Sequence, residues 1–362
     1  MGEPTRFGIM GCAGIARKVS RAIKLSPNAT VVAVGSRNAE KARRFIKDNG
    51  LPENTQVHGS YESLLDDPDV DAVYMPLPTS LHLRWGVAAA SKGKHILLEK
   101  PTALCVAELD QILQACEMNN VQFMDGTMWM HHPRTAKMNE LLRQQHSDLF
   151  GQLKMMNIIA SFYAKPDFLH NNIRVMPDLD SLGALGDLGW YCIRFILWAA
   201  DYCLPTTAVA FPNPVKNEAG LLLSCGASLH WDNGTVATFH CSFLAHRTFE
   251  VAVVGSKGTL TLSDFVNPFD ENSAWFTFAS ESSFKELVDG WKPSLPTNHV
   301  VSTELPQEAC MISEFSRLVG AIKDGSKRPE MKWPSISRKN QIVMDAVKDS
   351  IDKESKPVEI VA

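Results

Sequence analysis

Over the first third of the chain, short continuous apolar runs alternate with longer amphipathic stretches. The runs 7–11, 30–35, 70–76, 95–99 and 121–125 are almost unbroken, as in Val31-Val32-Ala33-Val34 and Ile96-Leu97-Leu98. Unbroken runs are expected of strands covered on both faces. Between them, 15–25, 39–48, 80–91 and 107–119 carry apolar residues at helical spacing. Strands alternating with helices predict βαβ units and a parallel, doubly wound sheet with helices on both faces.

The pattern changes near residue 126. Pro133 heads a helical stretch running to about Gln144, proline being well tolerated at a first helical position. Strand-like runs follow at 153–163, 206–211, 221–231, 235–243, 248–254 and 259–262. Asp232-Asn233-Gly234 and Gly255-Ser256-Lys257-Gly258 separate pairs of them and read as hairpin turns. This predicts a second domain of α+β type with a large, mostly antiparallel sheet. Residues 264–303 read as irregular loop with short strands, and two helices follow at about 308–324 and 335–354. The expected division is 1–128 and 129–362, with the last helices able to return to the first domain.

Composition narrows the function. At 362 residues, with 45% hydrophobic and 21% charged residues, the chain can build substantial cores. A net charge of −4 gives no general argument for nucleic acid or an anionic membrane. The first 50 residues, however, hold ten Lys/Arg against three Asp/Glu. That excess reads as a solvated helical face or as a site for a small polyanion. The eight cysteines form no CxxC pair and read as small buried hydrophobes in a reducing compartment, with no zinc site. No hydrophobic signal region precedes the first strand, and no apolar run reaches a membrane-spanning length. A cytoplasmic protein is expected.

The first strand-to-helix junction reads Gly11-Cys12-Ala13-Gly14-Ile15-Ala16. Glycines allow a tight turn there, and a helix N-terminus offers N–H groups and a positive dipole end to a pyrophosphate. Ala13 stands where the strict dinucleotide pattern has a second glycine, and Ala16 permits close helix–sheet packing. At the end of the second run come Ser36 and Arg37, with Lys41 one turn on. An acidic residue there would bind the ribose 2′-hydroxyl of NAD. A hydroxyl with two cations suits the 2′-phosphate of NADP, so NADP is expected ahead of NAD.

Two further elements, Pro76-Leu77-Pro78-Thr79 with His82, and Glu99-Lys100-Pro101, complete a pattern that resembles the glucose–fructose oxidoreductase / inositol dehydrogenase (Gfo/Idh/MocA) family along the whole chain. The resemblance implies an N-terminal Rossmann domain, a C-terminal domain with a large open sheet, and a homodimer formed through that sheet. It implies that Pro76, Leu77, Pro78, Thr79, His82 and Glu99 lie by the cofactor, and that Lys100 contacts substrate and acts in catalysis. A second family signature falls on residues 183–191, where Asp187 faces substrate and Tyr191 stands where most members carry histidine. Their spacing of four puts both on one face of a regular helix. The tyrosine resembles the branch containing dimeric dihydrodiol dehydrogenase and NADP-linked xylose dehydrogenase, and argues against an inositol-type substrate.

The expected activity is an NADP-dependent dehydrogenase or reductase acting on CH–OH groups of a sugar or small cyclic diol. Moving a hydride also requires moving a proton. Lys100 and Tyr191 are the candidates, since an ammonium near a tyrosine favours its phenolate. Either could carry the proton. Asp187 would orient substrate hydroxyls. The alternative is a non-catalytic NADP sensor of the same fold, which retention of Lys100 disfavours. His131 and His132 are adjacent and so point apart, and no metal is expected. Met124, Met128 and Met130 read as core or cleft lining.

Overall fold

The computed structural model describes residues 3–143, 147–281, 283–286, 290–292 and 295–361. They form two compact units: 1–131 with 178–180 and 305–341, and 132–177 with 181–304 and 342–362.

The first unit runs β1 (Thr5–Met10), α1 (Gly14–Leu25), β2 (Ala29–Gly35), α2 (Ala39–Asp48), β3 (Gln56–His58), α3 (Tyr61–Leu65), β4 (Ala72–Met75), α4 (His82–Ser91), β5 (His95–Leu98), α5 (Val106–Met118) and β6 (Phe123–Asp125). The sheet order is β3-β2-β1-β4-β5-β6, parallel throughout. The order reverses between β1 and β4, where such sheets bind ligands outside their carboxyl ends. Helix α1 shows why its segment folds so: Ala16, Val19, Ala22 and Ile23 are buried, while Arg17, Lys18, Arg21 and Lys24 face out. The basic excess of the first 50 residues is thus largely an exposed helical face. The helix Gln307–Lys323 belongs to this unit and packs on α1, with Ser26 Oγ donating to the Ala309 carbonyl at 3.0 Å.

The second unit is built on a large sheet. Its strands run, across the sheet, Thr297–Ser302, Ser273–Ser280, Gly258–Leu262, Leu244–Gly255, Leu153–Tyr163, Val236–Ser242, Leu222–His230, Thr207–Ala210 and Val358–Glu359. Neighbours are antiparallel except Leu153–Tyr163 with Val236–Ser242. Alternation drives the burial: Met156, Ile158 and Ala160 point inward with Ala237, Phe239 and Cys241. The apolar helix Trp190–Ala199 covers that face.

Two expectations needed correction, and two elements were not expected at all. Residues 264–303 contain two full strands. In Ser273–Ser280, Ala274, Phe276 and Phe278 point inward, an alternation that the outward, aromatic Trp275 obscured. The short β3 and α3 had no sequence signal. Cys203 is exposed, and Cys12, Cys105 and Cys310 are only half-buried, so the buried-cysteine expectation holds for four of the eight, all of which are free thiols. Helix Pro133–Leu142 matches its expectation at the start; Gln144, expected near its end, lies outside the described residues.

Candidate active site

The loop after β1 is shaped for an anion. Gly11 has φ +108°, donates its N–H to the Gly35 carbonyl (2.9 Å), and could not carry a Cβ without pressing Leu77 at 3.0 Å. A Cβ at Gly14 would meet no protein atom within 4 Å. Packing therefore does not demand glycine there, and the space before the helix is open. Ala13 occupies the N-cap with no side-chain cap, and the first turn of α1 has no acid. Ile15 follows in that turn, and Ala16 is fully buried against the sheet. This arrangement fits a pyrophosphate.

Beyond β2, buried Ser36 donates its N–H to the His58 carbonyl (3.1 Å). Asn38 caps α2, accepting from the N–H groups of Glu40 (2.8 Å) and Lys41 (3.3 Å). Two residues that the sequence reading missed join here. The Cys12 thiol, pushed up by burial, sits beside the Ser36 hydroxyl and within the field of Lys41. The Tyr61 hydroxyl lies 3.6 Å from where a Gly11 Cβ would stand. Burial pushes its ionisation up, against the nearby Arg37 guanidinium. Arg37 and Lys41 themselves are exposed. Two exposed cations and a hydroxyl gathered at this corner fit a ribose phosphate.

Lys100 stands at the carboxyl end of β5 on a braced segment. The buried Glu99 accepts from the Tyr74 hydroxyl at 2.6 Å, and its other oxygen accepts from the Lys100 N–H at 3.3 Å. Gly126 leaves room for that carboxylate, since a Cβ there would lie 3.0 Å from it. The Lys100–Pro101 peptide is cis. His82, at the start of α4, joins this segment to the Pro76-Leu77-Pro78-Thr79 loop. Its Nε2 is 3.0 Å from the Leu77 carbonyl and its Nδ1 is 3.2 Å from that of Thr102. Burial pushes His82 down to about 4, so the ring is neutral and donates to one carbonyl at a time. The structure thus gives His82 a bracing position inside the unit.

Asp187 and Tyr191 lie in the second unit. The segment Leu185–Gly189, expected as ordinary helix, is a turn of π-helix leading into Trp190–Ala199. Asp187 therefore sits in the wider turn and Tyr191 in the first α-helical turn, so the four-residue face rule does not relate them. Two residues before the π turn, Gly183 has φ +57°, and a Cβ there would stand 2.3 Å from the Leu222 carbonyl oxygen. Asp187 is buried and Tyr191 half-buried. Arg174, from a short turn at Ile173–Val175, donates from Nε to Asp187 Oδ1 at 2.6 Å. No motif or spacing marked Arg174 in advance.

Other candidates resolve as packing. His132 caps its helix, Nδ1 accepting from the Arg134 N–H at 2.9 Å, and His131 stacks on Trp333. Met124 and Met128 are core. No cluster of metal-ligating side chains occurs among the described residues.

A parallel sheet in this strand order, turned by glycine at its first junction and carrying cations after its second strand, defines a dinucleotide-binding oxidoreductase. The chain belongs to the Gfo/Idh/MocA family: residues 5–127 match its oxidoreductase, NAD-binding Rossmann domain, and 136–261 match a GFO/IDH/MocA C-terminal domain. It is 31% identical over 280 residues to D-xylose 1-dehydrogenase (NADP(+)) 2 of Haloferax volcanii, covering 76% of this chain and 81% of that one. It is 27% identical over 259 residues to trans-1,2-dihydrobenzene-1,2-diol dehydrogenase of Danio rerio, covering 70% and 73%. A 3-ketoreductase from Actinomadura kijaniata, solved with TDP-benzene and NADP and with one tyrosine replaced by phenylalanine, aligns with a TM-score of 0.80 at 25% identity, over 96% of this chain and 98% of that one.

Proposed function

We propose that this NADP-dependent oxidoreductase interconverts an alcohol and a carbonyl on a sugar or small cyclic diol, with Lys100 and Tyr191 handling the proton. The observation that carries the reading is the bracing of Lys100: Tyr74, Glu99 and His82 fix the segment bearing it at the carboxyl end of β5. A merely solvated surface lysine needs no such support. The relatives named for xylose and for a dihydrodiol support the substrate class.

Gly11, Ala13, Gly14, Ile15 and Ala16 hold the pyrophosphate, and Ser36, Arg37 and Lys41 the 2′-phosphate. Pro76, Leu77, Pro78, Thr79, His82 and Glu99 shape the nicotinamide end. When bound, the nicotinamide accepts or donates the hydride. Tyr191 takes or returns the proton at its phenolic oxygen. The Lys100 ammonium donates to the reacting oxygen. Asp187 accepts from a substrate hydroxyl and so sets which carbon reacts. We further infer a homodimer formed through the outer face of the large sheet, which light scattering on the pure protein tests.

The activity is tested with Lys100→Met, titrated with NADPH and assayed with NADP on aldoses and cyclic diols. Coenzyme binding should persist while turnover falls roughly 10²–10⁴-fold, the range for losing a proton-handling group. Unchanged turnover would remove Lys100 from the reaction.

A further inference from the structure

The connection between strand Leu153–Tyr163 and helix Trp190–Ala199 is built to present one side chain to Asp187. Arg174 lies in the short turn Ile173–Val175, capped by Asn172. Asn172 Oδ1 accepts from the Arg174 N–H at 3.1 Å and from its Nη1 at 3.4 Å. Asn217 Nδ2 donates to the Val175 carbonyl at 3.2 Å, tying the turn to the sheet region. The guanidinium is therefore held at its backbone, at one edge of its head, and at Asp187. Exposure is graded across the ion pair: 33% for the Arg174 side chain against 11% for that of Asp187.

A carboxylate so nearly buried is costly unless paired and hydrogen-bonded. Its partner also decides its orientation, because a carboxylate accepting a short charge-assisted bond is not free to turn about its terminal torsion. Asp187 sits in a π turn, a backbone form concentrated at functional sites. Asp187 lies within the wider turn rather than in the regular helix that follows, so an external clamp has a task there.

We propose that Arg174 is a positioning residue for the reaction, clamping the Asp187 carboxylate in the orientation that receives a substrate hydroxyl. The proposal rests on Asp187 facing substrate, as read above. Matching the charge of Asp187 also leaves this part of the site suited to neutral polyols.

The test compares Asp187→Ala, Arg174→Gln, Arg174→Lys and the double variant Arg174→Gln/Asp187→Ala, with D-xylose and NADP as probes. Turnover, NADPH affinity and thermal midpoint are measured for each. Misplacing a substrate-orienting group costs up to about 100-fold in rate. The expected result is a roughly 10- to 100-fold fall in kcat/KM for Arg174→Gln, with NADPH affinity kept, and substantial recovery in Arg174→Lys. The double variant should be no worse than Asp187→Ala alone, since the clamp has nothing left to hold. Three outcomes overturn the proposal: wild-type kinetics in Arg174→Gln, losses that track only its folded fraction, or penalties that add in the double variant. Full activity in Asp187→Ala, or no turnover of any aldose or diol by the unaltered protein, instead defeats the underlying reading and the proposal with it.

Discussion

Arg37 and Lys41 show how little of a residue's role lies in the residue alone. Both are exposed cations, a kind of side chain that on most surfaces contributes nothing measurable. What distinguishes them is their surroundings: the Ser36 hydroxyl, the Cys12 thiol and the Tyr61 hydroxyl gather at the same corner of the glycine loop. Arg37→Ala should raise the dissociation constant for NADPH about 10- to 100-fold, the value of one or two charge-assisted bonds of about 1.5–3 kcal/mol. The constant for NADH should barely change. Fluorescence titration with both coenzymes checks this, and an equal loss for both would remove Arg37 from 2′-phosphate recognition.

Among the elements, those carrying the coenzyme loop were legible because their signals are local. The unbroken runs at Val31–Val34 and Ile96–Leu98 match strands of a covered parallel sheet, and α1 separates apolar from basic residues cleanly. Gly11, Ser36 and Lys100 were readable from motif and position. The remainder was hidden because its cause is distant in sequence. Strand β3 consists of Gln56, Val57 and His58, with no pattern to detect. Tyr61 reaches Gly11 only once β3 and α3 have placed it. Gly183 meets Leu222, and Arg174 meets Asp187 across two irregular turns, only once the chain has folded. Gly183→Ala combines a left-handed backbone with a clash against backbone oxygen, and should destabilise the protein by about 2–4 kcal/mol. Urea unfolding measures it; a change below about 0.5 kcal/mol, typical of neutral surface sites, would refute the packing argument.

For the whole molecule, acid is the informative perturbation. His82 and His95 are buried, and burial pushes both down to about 4. The unfolded chain takes up these protons near 6.5. Stability from keeping the rings neutral is therefore complete above about pH 6.5, is lost as pH falls toward 4, and changes no further below that. Each histidine corresponds to roughly 3 kcal/mol over the full interval, against a total stability of about 5–15 kcal/mol typical of native proteins. Urea midpoints should thus fall steeply between pH 6.5 and 4.5, and less steeply in His95→Gln; a flat profile in the unaltered protein would contradict the burial assigned to both rings. No described helix is long and apolar enough to cross a membrane.

The widened turn at Leu185–Gly189 has one more consequence. It holds one residue more than an α-helical turn, and each residue of an α-helix advances the chain by about 100° around its axis. Point substitutions can adjust the groups displayed there, but deleting Leu188 would swing Asp187 to another bearing relative to Tyr191. The aim of the carboxylate is written in the length of the segment as much as in its letters, so a family could move between substrates by insertion and deletion where exchange of side chains could not take it.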